Sequence, residues 1–525
     1  MKVLLVDALA SGSGRRRSSI DVIGVGPRQI AGILETFGIE YRLVTAEDAL
    51  RSKAREFDVL LVSAMTMDAP AARRLAALHR RAVKVLGGPI TNDPTVVSRL
   101  GYDFGIWGEG EAALARVIEA SGLSEPSRLT PDIPNLLLNR GGRVVAGPRR
   151  RLTPGEFNSF SPSTEAVRHY RSRPHYRYAR VYVEVERGCS NFIRPALTAD
   201  RKICDVCGAC IGSRPPLEVC PQGIPPGCGY CSIPATYGAP KSKDVSNVVR
   251  EVESLIALGA QRIILSGADF LDYGRDREGG ALHPCEPGPN LGAVEDLLRS
   301  IASIPQVRDG EVYVGIENVK PCLLTDEAIS LLSYYLPNSV VHVGIETGDD
   351  SHARILGRPC RSTLAEERVK AAAEAGLRVY AYFIHGLPGQ SMATARATVE
   401  MMERLYRAGV EKFTVYRFKP LPGSAFESLQ PGPPAREDRA SALIESTARR
   451  LNVARKRGMM GKRLEVIFSS NFHRGARVAY PIREGPTCLV KGAPKSVRVG
   501  DRGYVLVTGL VSDRALLAEF LNKKT

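Results

Sequence analysis

Arg187-Gly188-Cys189 and Gly227-Cys228-Gly229-Tyr230-Cys231-Ser232-Ile233-Pro234 constrain this chain more than any other stretch. With the residues between Ser190 and Gly227 set aside, the two read as one segment, RGCS-GCGYCSIP. The residues before it, 177–186, alternate and are β-branched, which predicts a strand. Three thiols are thereby gathered at one strand end. Three thiolates on a four-iron cluster leave one iron without a protein ligand, open to a small molecule.

The segment resembles the signature of the radical S-adenosylmethionine (SAM) superfamily, C-x3-C-x2-C, with its first gap expanded into an insertion. The resemblance implies that Cys189, Cys228 and Cys231 hold a catalytic [4Fe-4S] cluster, with Tyr230 beside the cofactor. In that family the open iron chelates the amino and carboxylate groups of SAM, and an electron from the cluster cleaves SAM to a 5′-deoxyadenosyl radical. It also implies an external electron donor such as a ferredoxin.

The insertion, residues 190–227, carries Cys204, Cys207, Cys210 and Cys220. Their spacing, C-x2-C-x2-C-x9-C-P, resembles a bacterial ferredoxin run with the last gap stretched, and predicts a second, fully ligated [4Fe-4S] cluster over the barrel mouth. A four-cysteine zinc knuckle suits the same two C-x2-C steps and stays open as the alternative. A disulfide framework is the poorest reading, since the chain is long and these cysteines cluster locally.

Composition bounds the rest. A chain of 525 residues, 44% hydrophobic and 24% charged, is expected to be a soluble globular protein of several domains. No apolar run approaches the roughly 20 residues of a membrane span. The opening apolar run is broken by Asp7 and reads as a first strand and not a signal peptide, so a cytoplasmic location is expected. The net charge of +16 favours an anionic partner, RNA or anionic lipid head groups, or else reflects an Arg-rich surface.

The fold class is α/β. Residues 1–125 alternate strand and helix as a doubly wound, Rossmann-like domain. The turns at Ser63, at Gly87-Gly88-Pro89 and at Gly108-Glu109-Gly110 resemble the cobalamin-binding domain that precedes many radical SAM cores. Glycines at strand ends let a large planar ligand lie against backbone. No Asp-x-His-x-x-Gly loop follows the first strand, so cobalamin would bind without a histidine below the cobalt; a fold kept without its ligand is the alternative. Trp107 reads as a packing residue. Residues 126–176 form a Pro- and Arg-rich linker with a hairpin near Asn135.

Residues 177–430 repeat strand, loop and helix with the period of a partial (β/α)6 barrel. The resemblance places Ser266 and Gly267 at the SAM amino group, and Glu346 and Gly348, in the run Ile-Glu-Thr-Gly, at the ribose. It places Gly386, in Gly-Leu-Pro-Gly, on the adenine side, and Arg417 or Lys419 at an anionic group. Asp269 and Asp272 are substrate contacts or members of an Asx turn. Glu317 and Asn318 top another strand, and His385 is read as structural more readily than catalytic. Cys285, Cys322, Cys360 and Cys488 stand singly without ligand spacing and read as buried small hydrophobes or idle thiols, Cys322 being nearest the barrel mouth.

A connecting helix within 431–460 leads to residues 461–525, whose four short strands and turns suggest a small closed barrel resembling the RNA-binding TRAM domain. The architecture is that of a cobalamin-type radical SAM protein of archaeal style. Three readings of function follow: an enzyme that methylates or methylthiolates RNA, a cobalamin-type enzyme acting on unactivated carbon of a lipid or small molecule such as an archaeal tetraether lipid, or a non-catalytic iron–sulfur RNA-binding protein. No cysteine precedes Cys189, so the N-terminal thiols of the sulfur-donating cluster in methylthiotransferases are missing.

Overall fold

The computed structural model describes residues 1–16, 19–52, 56–170, 175–210, 215–278 and 281–524. The chain divides into two compact units, Met1–Val183 with Ser246–Gln261, and Glu184–Val245 with Arg262–Thr525.

The first unit is built on a seven-stranded sheet in the order Tyr41–Thr45, Val3–Asp7, Val59–Ser63, Val83–Gly87, Phe104–Ile106, Leu136–Arg140, Arg143–Ala146. The first five strands run parallel, and the last two form an antiparallel hairpin added to the edge. Val3–Asp7 is buried at every position, as a central parallel strand covered on both faces must be. The hairpin lies in the stretch read as linker, so that stretch contributes two strands to this sheet. Ser63 and Gly87 are direct partners across neighbouring strand ends, which brings the Gly-rich turns along one carboxyl edge.

In the second unit Arg262–Ser266 pairs in parallel with Tyr313–Ile316. A further parallel sheet runs Asn318–Val319, Val340–Glu346, Arg378–His385, Lys412–Arg417. Helices Leu291–Ala302, Asp326–Tyr335, Ser362–Glu374, Met392–Arg407 and Arg439–Arg457 follow successive strands. Four of these five starts are set by side chains that accept from the first-turn amides, Asn290 from Ala293, Thr325 from Ala328, Ser391 from Thr394 and Asp438 from Ser441, whereas Ser362–Glu374 has no side-chain cap.

A closed barrel of five strands ends the chain, in the order Arg463–His473, Ala476–Pro481, Thr487–Lys491, Ala515–Lys523, Arg502–Leu510. The closing strand, Ala515–Lys523, is absent from the sequence reading. Its Ala-, Leu-, Glu- and Lys-rich composition has helical propensity, and tertiary pairing on both edges overrides it. Val466, Phe468, Cys488, Val505 and Leu516 form its core, and Cys488 is the buried small hydrophobe expected. No helix among the described residues is long and apolar enough to cross a membrane.

Leu516 is fully buried on the closing strand. Leu516→Ala is expected to cost about 2–5 kcal/mol and to make the barrel the first site of limited proteolysis. An unchanged cleavage pattern would contradict this account of barrel closure.

Candidate metal centre

The thiols at the strand end are brought together by backbone geometry that the sequence prepares. Gly188 and Gly227 sit at φ +114° and +98°, and a Cβ at Gly188 would lie 2.3 Å from the Ala239 carbonyl. Both positions need glycine. Cys231 N–H donates to the Cys228 carbonyl at 2.8 Å, closing a tight turn that presents two thiols. Gly227 N–H donates to the Ile193 carbonyl at 3.0 Å, so the two ends of the insertion meet. The insertion thus leaves the junction as a short loop would.

Asn191 completes the link. Its backbone N–H donates to Cys189 Sγ and its Nδ2 to Cys228 Sγ, each at 3.4 Å, while Nδ2 also donates to the Gly357 carbonyl. Cys189, Cys228 and Cys231 lie within electrostatic reach of one another, Cys231 between the other two. Burial pushes the thiols of Cys189 and Cys231 up, Cys231 to about 12. A metal that takes them as thiolate ligands removes that cost. The donor set fits a cluster.

Cations surround the three thiols. Arg358 Nη1 donates to Cys228 Sγ at 3.4 Å and to the Tyr230 hydroxyl at 2.8 Å, and Nη2 donates to the Gly344 carbonyl at 2.6 Å. The same guanidinium stands 3.7 Å from Glu346. Beneath Cys189, Ser190 Oγ donates to Asp272 at 2.7 Å. Arg275 pairs with Asp272 at 2.6 Å, and Lys320 with Asp269 at 3.0 Å and with Asp272. These cations hold the Asp272 carboxyl below its ordinary range against the opposing effect of burial. Asp269 Oδ1 accepts from the Leu271 amide, as in an Asx turn, and from the Lys320 amide. Glu186, fully buried, holds its pKa well above the ordinary carboxylate range through burial and the nearby Asp272.

Glu346 ends its strand at φ +73°, a left-handed residue after a register shift at Gly344. That backbone turns its carboxylate back over Gly344, where a Cβ would come within 2.7 Å of it. Such a conformation in a non-glycine residue is held against its own preference, a pattern concentrated at functional sites. Tyr230 and Glu346 share Arg358 as a partner, so the two meet at the triad.

The other expected residues divide. Ser266 Oγ donates to Glu317 at 2.9 Å, and the space beside Gly267 is filled by the Glu186 carboxylate. At Gly348 and Gly386 the close approach is made by protein: a Cβ would meet Thr398 Cα at 2.5 Å in one case and Gly432 Cα at 2.8 Å in the other. Arg417, Lys419 and Asn318 are exposed. His385 is buried, and burial pushes its imidazole pKa down. In the N-terminal unit Gly87 and Gly108 face open space, whereas the Glu109 carboxylate accepts from the Leu152 amide at 2.8 Å. Ser63 Oγ lies 3.3 Å from where a Cβ of Gly26 would stand, and a Cβ at Gly88 would lie 2.7 Å from the Ala64 carbonyl oxygen.

In the insertion, helix Arg201–Cys207 carries Cys204 and Cys207 on one face, and Cys210 lies within electrostatic reach of Cys204 and Cys220. Gln222 Nε2 donates to Cys204 Sγ at 3.2 Å. Arg194 ties the insertion together through the carbonyls of Phe192, Leu217, Glu218 and Ile224. Residues 211–214 of the insertion lie outside the described residues. Among the described residues no group of three or more His, Cys, Asp or Glu is set to hold a single metal ion.

One expectation is corrected. Cys285, Cys322 and Cys360 do not stand singly: Cys285 and Cys322 are disulfide-bonded, and Cys285 Sγ lies 3.2 Å from the carbonyl of Pro359, the residue before Cys360. They come from three separate loops, so their proximity is tertiary and no spacing records it.

The radical SAM superfamily model matches residues 215–402. This stretch is a radical SAM domain. The protein is a SAM-dependent radical enzyme, and its cofactors are a [4Fe-4S] cluster and SAM. An uncharacterized protein of Methanopyrus kandleri is 41% identical over 98% of this chain and 95% of its own, so the two share a family across their length. The ribosomal protein uS12 methylthiotransferase RimO of Thermosipho africanus is 26% identical over 50% of this chain and 58% of its own. Among solved structures, the radical SAM methyltransferase TsrM of Kitasatospora setae, with cobalamin and a [4Fe-4S] cluster bound, shares the fold at a TM-score of 0.56 and 17% identity, over 81% of this chain and 74% of that one.

Arg358, Asn191, Lys320, Arg275 and Glu186 are the site residues that reading the sequence misses. Arg358 and Lys320 stand two residues before Cys360 and Cys322, a signal visible only once those cysteines matter.

Burial raises the Glu346 carboxyl above its ordinary range, opposed by Arg358 and Tyr230. The native state keeps this proton to higher pH than the unfolded chain. Glu346 therefore adds stability below the ordinary carboxylate range and loses it as pH rises through the native value. Glu346→Gln is expected to flatten that fall in denaturant unfolding as pH rises above the ordinary carboxylate range; an unaltered profile would contradict the assignment.

Proposed function

We propose that this enzyme methylates RNA, with Cys189, Cys228 and Cys231 as the ligands of its open-iron cluster and the C-terminal barrel as its RNA-binding part. When bound, the cluster supplies the electron that cleaves SAM. The protein's share is positional: Asn191 and Arg358 hold the thiolates by N–H···S bonds, and Glu346 with Tyr230 offers acceptor groups for the ribose hydroxyls. The strand–helix repeat of residues 177–430 is read as the partial barrel around this site.

The observation that carries the RNA reading is the hairpin tip of the terminal barrel. Phe472 is 67% exposed there, flanked by exposed His473 and Arg474, with Arg477 5.9 Å from its ring. Residues 461–525 hold twelve Lys and Arg against five Asp and Glu, a net +7 of the chain's +16. An exposed aromatic among cations is a stacking platform for unpaired bases, and the charge supplies phosphate affinity. A tRNA-2-methylthio-N(6)-dimethylallyladenosine synthase of Oleidesulfovibrio alaskensis is among the relatives. Methylation is preferred to methylthiolation because no cysteine precedes Cys189.

Cobalamin-assisted methylation is the form this takes if the N-terminal unit binds cobalamin, and the open backbone at Gly87 and Gly108 favours that. Cys204, Cys207, Cys210 and Cys220 are proposed to hold a second, closed cluster that passes electrons from a ferredoxin-like donor. A lipid target has no support beyond net charge.

Cys189→Ala, Cys228→Ala or Cys231→Ala is expected to abolish 5′-deoxyadenosine or methyl transfer product formation from SAM, while Cys207→Ala spares SAM binding. SAM turnover surviving loss of Cys228 overturns the triad. Phe472→Ala with Arg474→Ala is expected to weaken tRNA binding about tenfold or more at fixed salt, the scale of one lost stacking contact. Unchanged binding removes the barrel from the RNA reading.

A further inference from the structure

Each of three cysteines follows a proline, and each proline follows a basic residue: His283-Pro284-Cys285, Lys320-Pro321-Cys322 and Arg358-Pro359-Cys360. The three loops come from distant parts of the chain and converge. Cys285 and Cys322 are joined as a disulfide with Cα atoms 5.5 Å apart, and Cys360 is a free thiol directly after Pro359, whose carbonyl lies 3.2 Å from Cys285 Sγ. All three residues are only partly buried.

The surroundings are arranged for the open state as well as the closed one. Cys285 Sγ lies 3.2 Å from the Pro359 carbonyl, and Cys322 Sγ 3.8 Å from the Pro284 carbonyl. Each sulfur, once reduced, therefore has a carbonyl ready to accept from its S–H. A purely structural disulfide has no use for those acceptors or for a third thiol.

The loops are also fastened to the open-iron triad. Arg275, fully buried, donates to the carbonyls of His283, Pro284 and Pro287 while pairing with Asp272. Lys320 donates to Ser190 Oγ, next to Cys189. Arg358 donates to Cys228 Sγ. Each loop of the trio is held by a cation that also bonds either Ser190, next to Cys189, or Cys228 itself.

We propose that Cys285, Cys322 and Cys360 form a thiol–disulfide exchange site beside the triad, whose co-substrate is a dithiol. One thiolate of the dithiol attacks Cys285 Sγ; the Cys285–Cys322 bond breaks, a mixed disulfide forms, and Cys322 leaves as a thiolate that takes up a proton. The second thiol of the reductant displaces Cys285, closing the reductant's own disulfide. Two electrons and two protons have passed from the dithiol to the pair. Without reductant, the Cys360 thiolate attacks Cys322 Sγ, the bond moves from Cys285–Cys322 to Cys322–Cys360, and the proton of Cys360 ends on Cys285. That step transfers no net electrons.

The test is peptide mapping on the full chain, purified anaerobically, acid-quenched and alkylated, as the apoprotein and again after cluster reconstitution. Because it reads only sulfur bonding, its outcome does not depend on SAM cleavage or on RNA. With glutathione disulfide present, a peptide linking Cys285 and Cys322 is expected, with Cys360 alkylated. Dithiothreitol under native conditions should open that link completely and make all three cysteines alkylatable. In Cys285→Ser the link is expected to move to Cys322 and Cys360. A wild-type link that resists native dithiothreitol, or no link under the oxidant, overturns the proposal. So does a firmly bound metal that protects all three thiols from alkylation.

Discussion

A guanidinium buried among thiols organises the centre of this enzyme. Arg358 donates to Cys228 Sγ, the Tyr230 hydroxyl and the Gly344 carbonyl, and faces Glu346 at 3.7 Å. A charge so largely removed from water is costly unless its donors are met, and here they are met by the turn that carries Cys228 and Tyr230 and by the strand end that carries Gly344 and Glu346. The same cation compensates thiolate charge at Cys228 and fixes the hydroxyl and the carboxylate that flank it. Asn191 does the matching task from the other side, with one amide to Cys189 and one to Cys228.

The second anchor is the group around Asp272, where Ser190, Arg275 and Lys320 converge. It fixes the backbone directly after Cys189. Together these contacts explain how a long insertion is tolerated between the first two thiols. The ends of the insertion meet at Ile193 and Gly227, Arg194 closes its interior, and its first residues, Ser190 and Asn191, bond to Asp272 and to the thiols of Cys189 and Cys228.

What reading the sequence captures is what local spacing encodes. Gly188, Gly227, Cys228 and Cys231 declare a turn that presents thiols, and Val3–Asp7 or Val59–Ser63 declare buried parallel strands by continuous apolar runs. Glu346 is found through its run with Thr347 and Gly348, although its left-handed backbone is not visible there. What escapes is tertiary. Ala515–Lys523 has a helical composition and becomes a strand because two edges await it. Gly348 and Gly267 look like room for a cofactor, and the room is taken by a helix backbone and by the Glu186 carboxylate. Cys285, Cys322 and Cys360 carry no mutual spacing, because loops joined by helices place them side by side.

The account turns on one cluster with an open iron at Cys189, Cys228 and Cys231 and one closed cluster in the insertion. Iron analysis with EPR on anaerobically reconstituted, dithionite-reduced protein, with and without SAM, tests that directly. The account predicts about eight irons per chain and two reduced-cluster signals, of which one shifts when SAM is added. Signals that ignore SAM would contradict it.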